Sequence, residues 1–243
     1  MKKIGLAIVM GLALLNVEAQ KEKNLVVDAN AEVRNASGFT AIEVSGAIDL
    51  YISQGDEEAV AISANSDEIK ARIKTEVRSG TLHIYLDGKG LNWKIWGNNK
   101  MKAYVTYKIL SRLEASGACN IKATDPIKQS ELKIELSGAS DFTGDVVIGK
   151  LRLGTSGASV IKISGTAENT VVDASGACDI KAYDLKTDMC KVDASGASNV
   201  RITVNKELNA TASGGSSIFY RGNGLIRDIS SSGGASVKRK ADE

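Results

Sequence analysis

The chain has 243 residues, and its 31 basic and 29 acidic side chains leave a formal net charge of +2. This near balance excludes the broad basic surface that nucleic-acid binding requires, and it excludes a strongly acidic chain that would gather metal cations. Proline occurs once and glycine 24 times. Scarce proline suits strands that use every backbone N–H, because proline has none to donate.

Residues 1–19 have the composition of a secretory signal peptide. Lys2 and Lys3 form a basic start, and residues 4–15 are apolar. Val17 and Ala19 suit the positions three residues and one residue before the predicted cleavage site, which precedes Gln20. The apolar run is too short to cross a membrane, no cysteine for lipid attachment follows it, and no later stretch is apolar enough for a span. We predict export to the periplasm, the cell surface or the medium. The mature chain then carries 29 basic and 28 acidic residues, a net charge of +1.

Residues 20–36 are polar and predict an N-terminal leader, and residues 37–110 alternate in short, irregularly spaced segments. Alternation of apolar and polar residues with period two predicts strands. The predicted elements are strands at Ala59–Ala64, Thr81–Leu86 and Met101–Tyr107, a turn at 78–80, and a short helix or loop from Ser66 to Lys74 capped by Ser66 or Asp67. We interpret the region as broader coils that carry insertions.

A loop bounded by Gly90 and Gly97 holds both tryptophans of the chain, Trp93 and Trp96. Two exposed tryptophans would offer a platform for a sugar or a contact for a protein partner, because aromatic residues dominate many recognition surfaces. The alternative is a loop that folds over the flank or the end of the domain and hides its aromatic rings. Trp93 and Trp96 are the candidate ligand-binding residues.

From residue 111 onward the tripeptide Ser-Gly-Ala recurs, with Ser-Gly-Gly in the last two copies. Successive serines are separated by 21, 19, 19, 20, 18 and 19 residues. A fixed period of this length predicts a solenoid, in which each repeat is one coil stacked on the next. An earlier copy stands at Ser45. The serines of the regular copies are Ser116, Ser137, Ser156, Ser175, Ser195, Ser213 and Ser232.

The residues around each serine alternate in a way that predicts strands on both sides of a bend. Around Ser116, Leu113 and Ile121 are apolar, whereas Glu114 and Lys122 are charged; the other copies repeat the apolar positions, and several repeat one or both charges. A small residue, Ser or Cys, follows each of the first six of these serines by three positions. Positions separated by even numbers share one face of a strand, so the apolar and small residues should point inward and the charged residues outward.

The repeated Ser-Gly-Ala column is interpreted first as structural, because glycine permits a tight bend and a close approach of stacked backbones. The alternative is a flat array of small polar groups that binds ice or a polymer. The charged columns are interpreted as a solvated outer face rather than as binding stripes. In that face Asp179 should form a diagonal ion pair with Lys162 or Arg201.

The three cysteines are predicted to be free, buried thiols. Cys119 and Cys178 hold the same position three coils apart, which is about 14 Å at the strand spacing of a sheet. A disulfide requires Cα atoms within about 7 Å. Cys190 is also predicted to point inward. A bridge between Cys178 and Cys190 is the alternative that the sequence leaves open.

The sequence offers no constellation for catalysis. His83 is the only histidine, and its neighbours place it in a strand as a surface-facing residue. No serine triad, Cys–His pair, calcium-binding nonapeptide or phosphate-binding loop can be assembled, so no catalytic residue, metal site or cofactor is expected. Polysaccharide lyases and hydrolases on β-helices need carboxylates clustered in a cleft. Here the carboxylates predict single-file columns, and we expect a protein that is not an enzyme.

Several segments resemble, in order, the bacterial head GIN domain family of putative auto-transporter adhesins, a family of unknown function. The resemblance covers about residues 37–238, implies a right-handed parallel β-helix and an exported cell-envelope role, and supplies no functional residues. No translocating barrel follows Glu243, so self-export is not expected. The segments are Phe39–Gly46, Lys74–Leu82, Tyr104–Tyr107 and Leu113–Ala118, followed by the Ser-Gly-Ala coils.

Together these observations predict an all-β, single-stranded parallel β-helix with coils of about 18–21 residues over residues 37–238, closed by a charged cap at 239–243. The expected function is that of an exported binding or adhesion module. The alternatives are a polysaccharide-processing lyase or hydrolase on the same scaffold and a purely structural envelope protein. The expected partner is a glycan or an envelope protein, with self-association through the flank or the ends of the solenoid as a further option.

Overall fold

The structure is a computed structural model that describes residues 28–89 and 100–241. It confirms the predicted fold class, because stacked parallel coils form an all-β solenoid of about seven turns. The strands belong to one continuous sheet that winds around a single apolar core. The predicted signal peptide, residues 1–19, lies outside the described residues, as does the first part of the leader.

The N-terminal part contains short strands and one short helix. The predicted strands are confirmed with their bounds, and the helix begins after Ser66 in its N-cap position. Within the described ranges no helix is long and apolar enough to cross a membrane. The elements are β1 (Glu32–Arg34), β2 (Ala41–Gly46), β3 (Ile48–Gln54), β4 (Ala59–Ala64), α1 (Asp67–Arg72), β5 (Ile73–Arg78), β6 (Thr81–Leu86) and β7 (Met101–Tyr107).

The regular coils follow, and in their middle each strand runs from one Ser-Gly-Ala bend to the next. Their neighbours pair in parallel with offsets that match the sequence period, as in Ile134 with Leu153 and Leu153 with Val172. The strands are β8 (Arg112–Gly117), β9 (Asn120–Ala123), β10 (Ile127–Leu136), β11 (Asp141–Thr155), β12 (Val160–Ala174), β13 (Asp179–Ala194), β14 (Asn199–Ala212), β15 (Ser217–Arg221), β16 (Leu225–Ser231) and β17 (Ser236–Arg239).

The first coil, β2 and β3, lies inside the stack rather than at its end. β2 pairs in parallel with β8 on one side and β6 on the other, and β3 pairs likewise with β9 and β7. The antiparallel pairs β4–β7, β1–β4 and β5–β6 then cover this end. The predicted broader coils are therefore found in part: β6 and β7 extend the stack, whereas β4, α1 and β5 form an insertion. We call β1, β4–β7 and α1 the N-terminal cap.

The inward face is the predicted one. The apolar residues three before and five after each serine are buried from Leu113 to Ile218. The last coil is the exception, since Ile229 occupies the same column as fully buried Leu153 and Val192 but is 39% exposed. Because no described element covers β16, the inward side chains of this coil form the open end of the core.

The bends require glycine for two physical reasons. At Gly176 the backbone has φ = +86°, a left-handed conformation that side chains with a Cβ rarely adopt. A Cβ at that position would also lie 2.5 Å from the carbonyl oxygen of Gly157 in the preceding coil. The coils approach this closely because Ala177 N–H donates a 2.7 Å hydrogen bond to that same oxygen. The structural interpretation of the glycine column is thus supported by its geometry.

The small residue three after each serine also has a specific role. Its side chain is buried and turns back toward the bend, where Ser159 Oγ donates to the carbonyl oxygen of Ser156 at 3.1 Å. Cys178 Sγ makes the corresponding contact with the carbonyl oxygen of Ser175 at 3.0 Å. Because a buried carbonyl without a partner is costly, a small donor is favoured here, and either Ser or Cys can supply it.

The three cysteines are free and buried, as predicted. Cys119 and Cys178 occupy the inward column beside the bends, whereas Cys190 lies in β13 within the core. Burial raises the pKa of the Cys190 thiol to about 12 and also raises the pKa of Cys119. The alternative bridge between Cys178 and Cys190 does not form.

Candidate functional site

The sequence-predicted site residues Trp93 and Trp96 lie outside the described residues. The described chain stops at Lys89, after β6, and resumes at Lys100, before β7. Both flanking strands belong to the N-terminal cap. The proposal that the two tryptophans bind a ligand therefore remains a prediction from the sequence.

A groove with a volume of about 610 Å³ runs along the stack of Ser-Gly-Ala bends. It spans the coils from β2 to β14 and is open to solvent along its length. We call it the bend groove. One side is lined by the carboxylates two residues before the serines: Glu43, Glu114, Glu135, Asp173 and Asp193. The bends contribute the serines Ser116, Ser137, Ser156, Ser175, Ser195 and Ser213.

Parallel pairing places the carboxylates in one column. Glu43 is the partner of Glu114, Glu114 of Glu135, and Asp173 of Asp193. Successive coils are about 4.8 Å apart, so neighbouring carboxylates would repel one another if they were alone. The fold therefore places these carboxylates along a groove, whereas the sequence predicted that they form a solvated outer face.

Basic residues on the outer side of the column offset this repulsion. Arg112 lies 2.8 Å from Glu114 and Lys133 lies 2.7 Å from Glu135, each pair within one strand. Lys191 and Asp193 form the same kind of pair at 3.1 Å. Their lysine and arginine side chains do not line the bend groove. The residues that line the groove therefore include carboxylates but no lysine or arginine, although basic side chains outside the groove pair with these carboxylates.

The column is interrupted once, at Gly154, which lies between Glu135 and Asp173 in register. Arg152 precedes this glycine by two residues and so has no acidic partner in its own coil. It reaches instead to Asp173 of the next coil, with Nη1 and Oδ2 3.9 Å apart. Asp173 consequently has the longest ion-pair distance of the groove carboxylates.

Serine hydroxyls on the groove donate their hydrogen to backbone carbonyls of the preceding coil. Ser137 Oγ donates to the carbonyl oxygen of Ala115 at 3.2 Å, and Ser175 Oγ donates to that of Thr155 at 3.3 Å. A hydroxyl that donates its hydrogen in this way can still accept hydrogen bonds through its lone pairs. Together with the carboxylates, these oxygens make the groove rich in acceptors.

The outward face beyond the bends carries the second set of charged columns. Asp179 pairs with Arg201 of the next coil, as predicted, and with Lys181 of its own strand at 3.6 Å rather than with Lys162. These pairs are partly exposed, so each contributes at most about 1 kcal/mol to stability. They fit the predicted solvated face.

A wider groove of about 790 Å³ lies where β10 to β14 turn far from the bends. Its walls carry both basic and acidic side chains, and these side chains form ion pairs with one another. Lys150 lies 2.7 Å from Glu131, and Lys206 lies 2.7 Å from Asp188 at the border of the groove. The carboxylates of both grooves are ion-paired, but lysines line this groove whereas no lysine or arginine lines the bend groove.

His83 is half-buried on β6, where its Nδ1 lies 3.0 Å from Oε2 of Glu43. It therefore borders the end of the bend groove through Glu43, which the sequence could not show. In residues 28–89 and 100–241 no group of three or more His, Cys, Asp or Glu side chains could hold a metal ion.

Comparison with known protein families gives a match over most of the chain. The family described as putative auto-transporter adhesin, head GIN domain, matches residues 38–224. No match is found among curated proteins.

Three crystal structures share the fold at low sequence identity. A putative adhesin from Bacteroides fragilis is 22% identical with a TM-score of 0.79, and the alignment covers 86% of this chain and 96% of that one. A putative lipid binding protein from Parabacteroides distasonis is 19% identical with a TM-score of 0.66, covering 88% and 98%. A putative adhesin from Parabacteroides merdae is 17% identical with a TM-score of 0.61, covering 86% and 95%.

Sequence identities this low support a shared fold, but they do not allow site residues of those proteins to be assigned to this chain. The family match, in contrast, covers most of the chain in sequence, including the first coil, the N-terminal cap except β1, and most of the regular coils. The chain therefore belongs to the head GIN domain family of putative auto-transporter adhesins.

Proposed function

We propose that this chain is an exported binding module of the cell envelope and that its ligand lies in the bend groove. The observation that carries the proposal is the groove itself, which is open, continuous over five Ser-Gly-Ala bends and one Ser-Gly-Gly bend, and lined by repeated carboxylate and hydroxyl oxygens. Extended polymers suit such a surface, because each coil offers the same set of polar groups to the next unit of the ligand.

Export is proposed from the sequence of residues 1–19, with their basic start, apolar run and small residues before the cleavage position. Membership of a family named for adhesins favours a location outside the cytoplasm. In the cell envelope the abundant extended polymers are glycans. A glycan is therefore the proposed ligand class, with an extended segment of an envelope protein as the second choice.

Cleavage of a bound polysaccharide is the competing function, and one observation favours it. Registered carboxylates such as Glu114 and Glu135 are separated by about one coil, close to the roughly 5 Å spacing of retaining glycosidases. However, those enzymes place their carboxylates on opposite sides of the scissile bond. Here both lie in one column and both are ion-paired, so we propose binding without catalysis.

The experiment is a glycan array with the mature chain, followed by a reducing-sugar assay on every glycan that binds. We expect binding without release of reducing ends. The double variant Asp173→Asn with Asp193→Asn should weaken binding, whereas Thr143→Ala, an exposed change away from both grooves, should not. Release of reducing ends would establish the enzyme instead.

The same array separates the groove from the predicted aromatic loop. The double variant Trp93→Ala with Trp96→Ala should bind as the wild type does if the groove holds the ligand. If the loop is the site, that variant should lose at least about 2 kcal/mol of binding free energy, the usual scale of a hot spot, while the groove variant binds normally.

A further inference from the structure

The C-terminal end of the solenoid presents a free edge of the sheet beside an open core. Among the described residues β16 pairs only with β14, and β17 pairs only with β15, so one side of each strand has no neighbouring strand. The inward side chains of this coil are uncovered as well, since Ile226 is 44% exposed and Ile229 is 39% exposed. We call β16 and β17 the terminal edge.

A partner for the terminal edge has to supply both a strand and apolar side chains. The N–H and C=O groups along a free edge are satisfied most completely by another strand. A lipid surface would leave these groups without hydrogen bonds in an apolar medium. A glycan would leave the apolar side chains of the coil uncovered. The chemistry of the edge therefore fits the edge of another β-sheet that also has an open core.

The opposite end of the solenoid does not have this chemistry. There the N-terminal cap closes the core, and its side chains Ile69 and Ile84 are fully buried. Its outer strands, β1 and β5, carry charged side chains at alternate positions. Head-to-tail stacking would bring those charges to the apolar terminal edge, where they would lose water without gaining partners. Two terminal edges are better matched to each other.

A two-fold axis perpendicular to the sheet brings two copies of β16 together as antiparallel strands, and the charges select its position. The residue on the axis lies opposite the same residue of the second copy. An axis at Asp228 would oppose two carboxylates, and an axis at Arg227 would oppose two guanidinium groups. An axis at Ile229 instead opposes two isoleucines and places Asp228 opposite Ser230.

The same axis suits β17. Ile229 and Val237 lie four residues before and four residues after Gly233 of the last bend, so one axis can pass through both strands. Val237 occupies the inward column of Ile218, and an axis there opposes two valines. It also avoids opposing two copies of Lys238. The centre of the contact is then apolar on both strands.

We propose that the terminal edge binds a second copy of this chain, with a two-fold axis through Ile229 and Val237, and so joins two solenoids tail to tail through one continuous sheet. The open end described above is that of the single copy. The axis places the two bend grooves on opposite edges of the shared sheet, so the dimer would hold two glycan chains. That consequence rests on the proposed function, whereas the dimer itself does not.

The size of the contact predicts a dimer that depends on concentration. The seven residues of β16 span about 23 Å, and the two sides of a core lie about 10 Å apart. The end of the core therefore has a cross-section of about 230 Å². Even with its rim, this contact falls short of the roughly 800 Å² that each partner buries in a standard interface. We expect a dissociation constant between about 1 µM and about 1 mM.

The first test is the molar mass of the mature chain by light scattering over that range of concentration. We expect the mass to rise toward twice that of the monomer. Ile229→Lys opposes two ammonium groups on the axis and should keep the chain monomeric, with its thermal midpoint at low concentration little changed because the position is already exposed. Ile109→Lys is the matched control, the same change at a 55% exposed isoleucine between β7 and β8, and it should dimerise as the wild type does.

A cysteine on the axis tests the register without adding charge. Ile229→Cys places two thiols opposite each other with Cβ atoms about 4.5–5.5 Å apart, from which a small adjustment forms a disulfide. Mild oxidation at high concentration should convert this variant into a covalent dimer, whereas Ile109→Cys should stay monomeric. The three native thiols are buried and do not compete.

Four results would overturn the inference. They are a monomer mass at every concentration, unchanged dimerisation of a folded Ile229→Lys variant, a mass that grows beyond the dimer, and a dimer in which Ile229→Cys forms no disulfide. The third would indicate head-to-tail stacking, and the fourth would place the contact elsewhere. None of them decides the proposed function, because the bend groove lies on the coils from β2 to β14.

Discussion

At the scale of single residues, the bend glycines illustrate how a repeat forces one residue type. The cost of replacing them has two parts, the left-handed φ and the contact with the coil below. Gly46 has φ = +103° but no atom within 4 Å of an added Cβ, whereas Gly176 has both penalties. Substitutions at these two glycines can therefore separate the cost of the left-handed φ from the cost of the contact between coils.

We predict that Gly46→Ala lowers the free energy of unfolding by about 1–2 kcal/mol, the cost of the left-handed conformation alone. Gly176→Ala should cost about 3–5 kcal/mol, because the added methyl group must also displace the backbone of Gly157. Ser175→Ala should cost at most about 1 kcal/mol, since it removes one hydrogen bond to a carbonyl that the Ser175 N–H still satisfies. Urea unfolding of the three variants measures this order. Equal losses at Gly46 and Gly176 would show that close stacking is not the cause.

The buried thiols lead to a prediction about pH. Burial raises the pKa of Cys190 from its ordinary value of 9.0 to about 12. The unfolded chain therefore releases this proton at lower pH than the native chain does, so the stability contribution is complete below pH 9 and is lost as the pH rises toward 12. Desolvation of Tyr107 raises its pKa and acts in the same direction.

We expect urea midpoints to fall between pH 9 and pH 12, and the fall to be shallower in Cys190→Ala than in the wild type. The comparison uses the slopes, because the variant also creates a small cavity. Parallel slopes would mean that Cys190 does not titrate with unfolding. In the same samples, alkylation after unfolding without reductant should modify all three thiols.

At the scale of the coils, the two ends of the solenoid differ. The N-terminal cap covers the first coil, and its side chains Ile69 of α1 and Ile84 of β6 are fully buried. At the other end Leu225, Ile226 and Ile229 of β16 are exposed, and no described element covers them. Since each coil is stabilised mainly by its neighbours, the last coil should open more readily than the middle ones.

We predict that Leu153→Ala lowers the free energy of unfolding by about 2–5 kcal/mol, the usual cost of truncating a buried leucine. Ile229→Ala, in the same inward column of the last coil, should cost less than about 1 kcal/mol, because its side chain is already 39% exposed. Hydrogen exchange should likewise be faster in β16 than in β12. A large loss for Ile229→Ala would indicate that the last coil is covered in solution.

At the scale of the whole molecule, the repeat made much of the fold predictable. Period two around each serine gave the inward face from Leu113 to Ile218, and the offset of Cys119 from Cys178 excluded a bridge. Such features depend on local alternation and on the identity of successive coils. They can be read from a sequence because one rule applies to every copy.

The features that the sequence did not reveal depend on contacts between distant segments. β6 and β7 lie outside β2 and β3, although they follow them in the chain, and no local pattern encodes that order. The acidic column was visible in the sequence, but the groove beside it is visible only in the folded chain. Thr155 is polar where the repeat is apolar, but only the folded chain shows that its buried Oγ1 has no hydrogen-bond partner among the described residues.

NMR chemical-shift mapping with the tightest-binding glycan from the array tests directly whether the ligand lies in the bend groove. We predict that the largest amide shifts fall on the bends at Ser137, Ser156 and Ser175 and on Thr155, with small shifts in the N-terminal cap. Shifts concentrated beside Lys89 and Lys100, or in the wider groove around Lys150, would contradict the bend groove as the binding site.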